Sequence, residues 1–217
     1  KVHTSEHLDD NSKQSTNHDD KNVACTRETC VNGCPVSMVT GEELLTLTDG
    51  QLNGLLPFEW NRLYRTSAAE IDCGLGYGWS HALAQRVEIN NDEVVWTDHE
   101  NRVTTFPLPS EQRPAITNSL SKAAIYIGDD PSELILSQAG DQTLFYHFRY
   151  NIKGATLIAI SGKYGNRLHI TRDIHGRIKR VDNGSGRALL LRYDRKHIVG
   201  IDYQQFSPAD NLEDAWS

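Results

Sequence analysis

The chain has 217 residues, 38% of them apolar and 24% charged, enough for one domain, or a large domain with a small companion, that buries roughly 70% of its unfolded surface. No uninterrupted run of about 18 apolar residues occurs, which rules out a transmembrane helix. The net charge is −7, from 22 basic against 29 acidic residues, and no basic stripe stands out against that field, so nucleic acid and anionic membrane surfaces are not expected partners.

Residues 1–24 are expected to form a disordered polar tail. From Lys1 to about Asn22 only Val2 and Leu8 can be buried, too little to offset the entropy of ordering the segment. His3, His7 and His18 in this tail are expected to be solvated rather than ligands. The opening Lys1 to His7 lacks the basic-then-apolar order of a signal peptide, and because the sequence begins without Met it is expected to be a trimmed or excised piece, the N-terminal part of a longer protein or a short relic of one.

After the tail come short runs rich in β-branched and aromatic residues, split by Gly, Asn and Asp, so the expected fold is mainly β, an antiparallel hairpin array. Predicted strands run Glu43 to Thr48, Pro57 to Tyr64, His81 to Ile89, Glu93 to Trp96, Val103 to Phe106, Ala123 to Ile127, Leu134 to Ser137 and Thr143 to Tyr150. The series continues with Thr156 to Ile160, Arg167 to Thr171, Arg177 to Val181, Ala188 to Tyr193 and His197 to Tyr203. The Pro-rich stretch from Pro109 to Asn118 divides an opening module at 25–110 from the hairpins at 111–217, and a short helix is expected near Asn118 to Ala124.

Turn signals in the last third recur at close to ten residues, the rhythm of stacked hairpins. The clearest units are Tyr164-Gly165-Asn166-Arg167-Leu168-His169-Ile170, Asp173-Ile174-His175-Gly176-Arg177-Ile178-Lys179-Arg180-Val181 and Gly186-Arg187-Ala188-Leu189-Leu190-Leu191-Arg192-Tyr193-Asp194. Each has Gly or Asn at the tip, where a tight turn needs a positive φ, then Arg, then alternating apolar residues. Gly176-Arg177 and Tyr193-Asp194 resemble the tyrosine-aspartate (YD) repeats of the Rhs family of polymorphic toxins. The opening module strengthens the resemblance in order: Pro35 to Glu42, including Thr40, Gly41 and Glu42; Leu55 to Tyr64, with Trp60, Arg62 and Tyr64; Gly74-Leu75-Gly76-Tyr77-Gly78-Trp79; and Asp98 to Arg102 leading to Phe106-Pro107.

The resemblance implies that the chain is the start of a YD-repeat β-cocoon, an N-terminal shell or plug fragment. The complete protein would enclose a C-terminal toxin domain used in interbacterial competition and linked to type VI secretion. Implied partners are the remainder of the Rhs shell and its toxin cargo, with a secretion spike protein or a chaperone. The implied localisation is the bacterial cytoplasm before secretion, then outside the producer cell. No enzyme activity and no cofactor are expected of this chain, the toxic activity belonging to a further C-terminal domain. An alternative is an independent β-rich module binding a protein or glycan.

Several constellations invite chemistry. Cys25, Cys30 and Cys34, with Cys73 as a fourth ligand, are weak candidates for a zinc site because the spacing is not that of paired zinc-finger ligands; a disulfide and free thiols are the other readings, free thiols being the default. Cys34-Pro35 is a candidate processing junction for a self-cleaving module, since some relatives are cut near the start of the core, although no base is identifiable beside Cys34. Gly74, Gly76 and Gly78 lack the spacing of a nucleotide loop and are expected to let the backbone pass under Tyr77 and Trp79. Asp72, Ser80 and His81 lack a nucleophile elbow, and adjacent Ser and His on a strand point to opposite faces. Trp60, Tyr64, Trp79, Trp96 and Phe106 are expected in core and inter-strand packing rather than in a sugar platform.

Overall fold

The computed structural model describes residues 36, 40–140, 143–151 and 154–205; the polar tail, Cys25, Cys30, Cys34 and Pro35 lie outside the described residues. Among those described, the elements are strands apart from a single 3-10 turn at Thr66–Ala68. No helix among them is long and apolar enough to cross a membrane.

β1 (Leu44–Leu52), β2 (Phe58–Arg65) and β3 (Trp79–His81) form a three-stranded sheet. β4 (Arg86–Asn90), β5 (Glu93–Thr97) and β6 (Val103–Pro107) follow as a meander, and then β7 (Ala115–Asn118), β8 (Ala123–Ile127), β9 (Glu133–Gln138), β10 (Leu144–Asn151) and β11 (Gly154–Gly162). The series closes with β12 (Arg167–Arg172), β13 (Ile178–Asp182), β14 (Arg187–Asp194) and β15 (His197–Gln205). From β7 to β15 each strand pairs antiparallel with the next in sequence. The β4–β6 meander joins the same twelve-stranded sheet through one bridge, Ala155 to Val87 on β11 and β4.

Two expectations are corrected. No helix forms near Asn118 to Ala124: β7 ends at Asn118, whose Oδ1 accepts the N–H groups of Leu120 and Ser121, and β8 starts at Ala123. An Asx turn has outcompeted a helical nucleus that had too few residues to propagate. The run His81 to Ile89 is not one strand, because the chain turns after β3, the Ala84 N–H donating to the His81 carbonyl, before β4 begins at Arg86. The Pro-rich stretch ends in β7, which pairs with β8.

Alternation sets the faces. On β12, Leu168 and Ile170 are buried while His169 and Thr171 are exposed. On β13 the buried residues are Ile178 and Val181, three apart. A bulge reconciles this with a period of two: Thr171 pairs with Arg180 and Arg172 with Ile178, leaving Lys179 as the extra residue. Equivalent bulges leave Ile158 extra on β11 and Val199 extra on β15. These positions are 21 and then 20 residues apart, always on the second strand of a hairpin, so the single two-stranded hairpin is the structural repeat.

The small sheet fills the apolar face of the large one. Leu52, Phe58 and Trp60 belong to the same buried cluster as Leu136, Phe148, Leu168, Val181 and Leu189. At Gly50 the β1 backbone approaches the β14 side chains so closely that an added Cβ would lie 3.5 Å from Leu189 Cδ2. Polar contacts finish the seam, the Asn53 carbonyl accepting from Asn183 Nδ2 at 3.1 Å and from Arg187 Nη1 at 2.9 Å. Trp60 is fully buried and stacks on His81 with ring centroids 4.7 Å apart. Trp60→Ala should therefore cost about 3–5 kcal/mol, read as a lower urea midpoint with an unchanged slope.

Candidate functional site

The repeat motif folds as a clasp. Asp173 Oδ1 accepts the N–H groups of His175 and Arg177 at 2.9 and 3.0 Å, and its Oδ2 accepts from Arg177 Nε at 2.8 Å. Gly176 sits between them at φ 81°, the left-handed conformation that the turn requires. The Arg177 guanidinium lies 4.8 Å from the Tyr193 ring, and the Tyr193 hydroxyl donates to the Ile178 carbonyl at 2.9 Å. The Asp and Arg of one turn are thus tied to the Tyr of the next hairpin by a cation–π contact and a hydrogen bond. Asp194 opens the β14–β15 turn, opposite His197.

The opening module carries the same clasp. Asp98 Oδ1 accepts the N–H groups of Glu100 and Arg102 at 2.8 and 2.9 Å, its Oδ2 accepts from Arg102 Nε at 2.8 Å, and Asn101 takes the place of Gly at φ 61°. In sequence Asp98 to Arg102 falls within the opening module. The shared Asp-x-x-Gly/Asn-Arg spacing was the signal that could have identified it as a repeat turn.

The glycine loop is a docking device. Gly74, Gly76 and Gly78 have φ of 93°, 97° and 80°. The first two aim their N–H groups at Asp72 Oδ1, at 2.9 and 3.1 Å, while Asp72 Oδ2 faces Lys196 Nζ at 2.8 Å and His197 Nε2 at 3.1 Å. The Ile198 N–H donates to the Gly74 carbonyl at 2.7 Å. A loop of the opening module is thereby fastened to the start of β15. The loop does not pass under Tyr77 as expected: Gly78 lies beneath Tyr64, where an added Cβ would come within 2.6 Å of the ring, and Tyr77 is exposed.

The remaining motif residues tie the small sheet together. Glu42 accepts Arg65 Nε and Nη2 at 3.0 and 3.2 Å and also holds Ser67, while Arg65 Nη1 reaches the Glu100 carbonyl at 2.8 Å. Gly41, at φ 70°, turns the chain beside Thr40, whose Oγ1 accepts the Glu42 N–H. Arg62 pairs with Asp49 and lies over Trp79, which also meets Tyr64 at a centroid distance of 5.3 Å. Trp60, Trp96 and Phe106 are buried in the core. Ser80 and His81 are both buried, Ser80 donating to the His99 carbonyl and His81 lying under Trp60. Burial pushes the His81 imidazole down to about 3, so it stays neutral at physiological pH.

One polar network was missed from the sequence. On β9, β10 and β11, Glu133 Oε1, His147 and Ser161 form a chain with His147 Nδ1 at 2.6 Å from Glu133 and Nε2 at 2.7 Å from Ser161 Oγ; Arg167 Nη2 lies 3.3 Å from Glu133. Burial holds His147 below the ordinary imidazole range against the pull of Glu133, so the neutral ring donates from Nδ1 and accepts the Ser161 O–H at Nε2. β11 is paired on both sides there, with Phe145 and Arg167 opposite Ser161. The neighbouring N–H groups serve the ladders rather than an oxyanion hole, and the arrangement acts as a cross-strand tie. The spacing of 14 residues at each step was its sequence signal.

Cys73 lies apart from any metal-like cluster: its Sγ accepts from Arg86 Nη1 at 3.7 Å, and burial pushes the thiol up, keeping it protonated. Among the described residues no group of three His, Cys, Asp or Glu is placed to hold a metal ion.

Residues 33–106 match a family model described as a domain of unknown function, DUF6531. Over 166 residues the chain is 26% identical to the probable deoxyribonuclease RhsA of Dickeya dadantii (strain 3937), covering 72% of the chain and 11% of that protein. Over 176 residues it is 24% identical to the probable deoxyribonuclease RhsB of the same organism, covering 77% of the chain and 12% of that protein. The chain therefore spans a small part of the length of these relatives.

The docking of the glycine loop should be acid-sensitive. The Lys196 ammonium, His197 and two backbone N–H groups hold the Asp72 carboxyl far below the usual carboxylate range. A depressed folded-state value stabilises the fold fully above the unfolded carboxyl's value of about 3.9, and that contribution is lost progressively as the pH falls from there toward the folded-state value. Asp72→Asn should cost about 2 kcal/mol at pH 7, and in urea titrations the difference from the parent should shrink between about pH 4 and pH 2.

Proposed function

This chain belongs to the Rhs family, and from that premise we propose that it forms the plug end and first wall of a β-shell that encloses a toxic cargo domain for delivery to competing bacteria. The observation that carries this reading is the filled seam, in which the small sheet buries Leu52, Phe58 and Trp60 against the inner face of a hairpin sheet. Such a seam closes one end of a curved wall and keeps water and proteases out of it.

At the edge of the sheet beside this seam, β15 pairs only with β14 among the described residues, and Val199 and Tyr203 stand exposed on it. An open edge with exposed apolar residues is a template for a further strand. In this reading that strand is the next hairpin of the wall, built on the same repeat of clasp and bulge. The matched relatives carry deoxyribonuclease in their names, which makes a DNA-cleaving domain the first cargo to test. Delivery through a type VI secretion spike or with a chaperone is part of the same proposal.

Limited proteolysis of the full-length parent protein provides the test. The cargo domain should survive protease concentrations that destroy it in isolation, and Trp60→Ala, by loosening the seam, should shorten its lifetime at least tenfold. A cargo digested as fast inside the intact protein as alone would overturn the proposal.

A further inference from the structure

Half-buried arginines in this chain generally carry their own counter-ion. Arg65, Arg102, Arg167, Arg177 and Arg180 each lie within hydrogen-bond distance of a carboxylate. Arg86 and Arg172 are half-buried as well, yet neither has a carboxylate oxygen within 4.0 Å among the described residues. Arg86 donates to the Cys73 sulfur. Arg172 donates from Nη1 and Nη2 to the carbonyls of Gly176 and Leu157 at 2.9 and 3.2 Å, and its Nε is buried with no acceptor.

Both arginines line one cleft of about 280 Å³ between the glycine loop, the turn before β4 and the β12–β13 turn. They also line the adjoining groove between β4 and β11. Nothing in the cleft neutralises them. Asp72 is held by Lys196 and His197, and Asp173 by Arg177. The Cys73 thiol stays protonated, and His81 is uncharged. Two desolvated guanidinium groups without a counter-charge are costly, and a guanidinium fork is suited to planar or tetrahedral oxyanions.

We propose that the Arg86–Arg172 cleft is a binding site for an oxyanion, a phosphate or carboxylate group seated between the two guanidinium groups. The volume is that of several water molecules at about 30 Å³ each, which leaves room for the anion and part of the molecule that bears it.

Calorimetric titration of the 217-residue chain with inorganic phosphate, and separately with acetate, in chloride buffer of matched ionic strength tests this. A saturable heat with about one site per chain is expected, together with a rise in Tm of several degrees at roughly 100-fold excess over Kd. Arg86→Gln should weaken binding at least tenfold and abolish the Tm response, while its Tm in chloride equals or exceeds the parent's because an uncompensated charge has been removed. Arg192→Gln, at an exposed arginine paired with Asp202, should leave the response intact and so separates site binding from the general stabilising effect of phosphate. Saturation by phosphate alone identifies a phosphoryl-bearing ligand, and saturation by acetate as well identifies a carboxylate-bearing one. No saturable heat from either anion with the parent chain, or an equal response in Arg86→Gln, would overturn the proposal, and the parent titration decides it even where a variant fails to fold.

Discussion

A broad antiparallel sheet cannot stand alone with an apolar face in water, and the burial of that face by the β1–β3 sheet is the constraint on which the rest of this structure depends. The large sheet supplies Leu136, Phe148, Leu168, Val181 and Leu189, and the small sheet supplies Leu52, Phe58 and Trp60 to the same cluster. The polar fastenings, Asp72 to Lys196 and Asn53 to Arg187, lie at the rim of that contact and fix the orientation of one sheet on the other.

Filling a curved sheet from inside requires the sheet to curve regularly, and the repeat contains the device for it. The bulges at Ile158, Lys179 and Val199 add one residue to the second strand of successive hairpins. An extra residue on one strand only bends that strand and increases its twist, so a bulge repeated at the same place in each hairpin bends the wall the same way each time. The Asp–Gly–Arg clasp holds the turn within one such hairpin, between β12 and β13, and the Arg177–Tyr193 contact links that turn to the next hairpin. Without the clasp the turn would be set by Gly176 alone, a residue that carries a high entropic cost of ordering.

Much of this was legible because strands are written in alternation and turns in glycine. The pattern from Arg167 to Tyr203 yielded its strands and its clasp residues directly. What could not be read was any relation that depends on bulges or distant partners. Ile178 and Val181 break the period of two, and only the pairing with Thr171 and Arg172 explains them. Gly74, Gly76 and Gly78 were recognisable as backbone positions, but their partner, Asp72, is held by residues more than 120 positions away. Asn118 to Ala124 contains residues that tolerate a helix, and an Asx turn took them instead. Arg86 and Arg172 gave no signal, since an arginine stands out only when its neighbourhood shows that it has no counter-ion.

The Glu133–His147–Ser161 tie answers a problem that apolar alternation cannot. With a side-chain period of two, a slip of one residue is forbidden because it would turn the core face outward, but a slip of two residues restores the pattern. Neighbouring hairpins in a repeating wall resemble one another, so such slips compete with the native register. His147 meets Glu133 and Ser161 through opposite ring nitrogens at 2.6 and 2.7 Å, across both of its strand interfaces at once. A shift of two residues at either interface would leave a buried carboxylate or a buried imidazole nitrogen without its partner, at a cost that a merely apolar position would not impose. One buried histidine therefore specifies the absolute register of three strands, and the apolar face that receives the small sheet is aligned as a consequence.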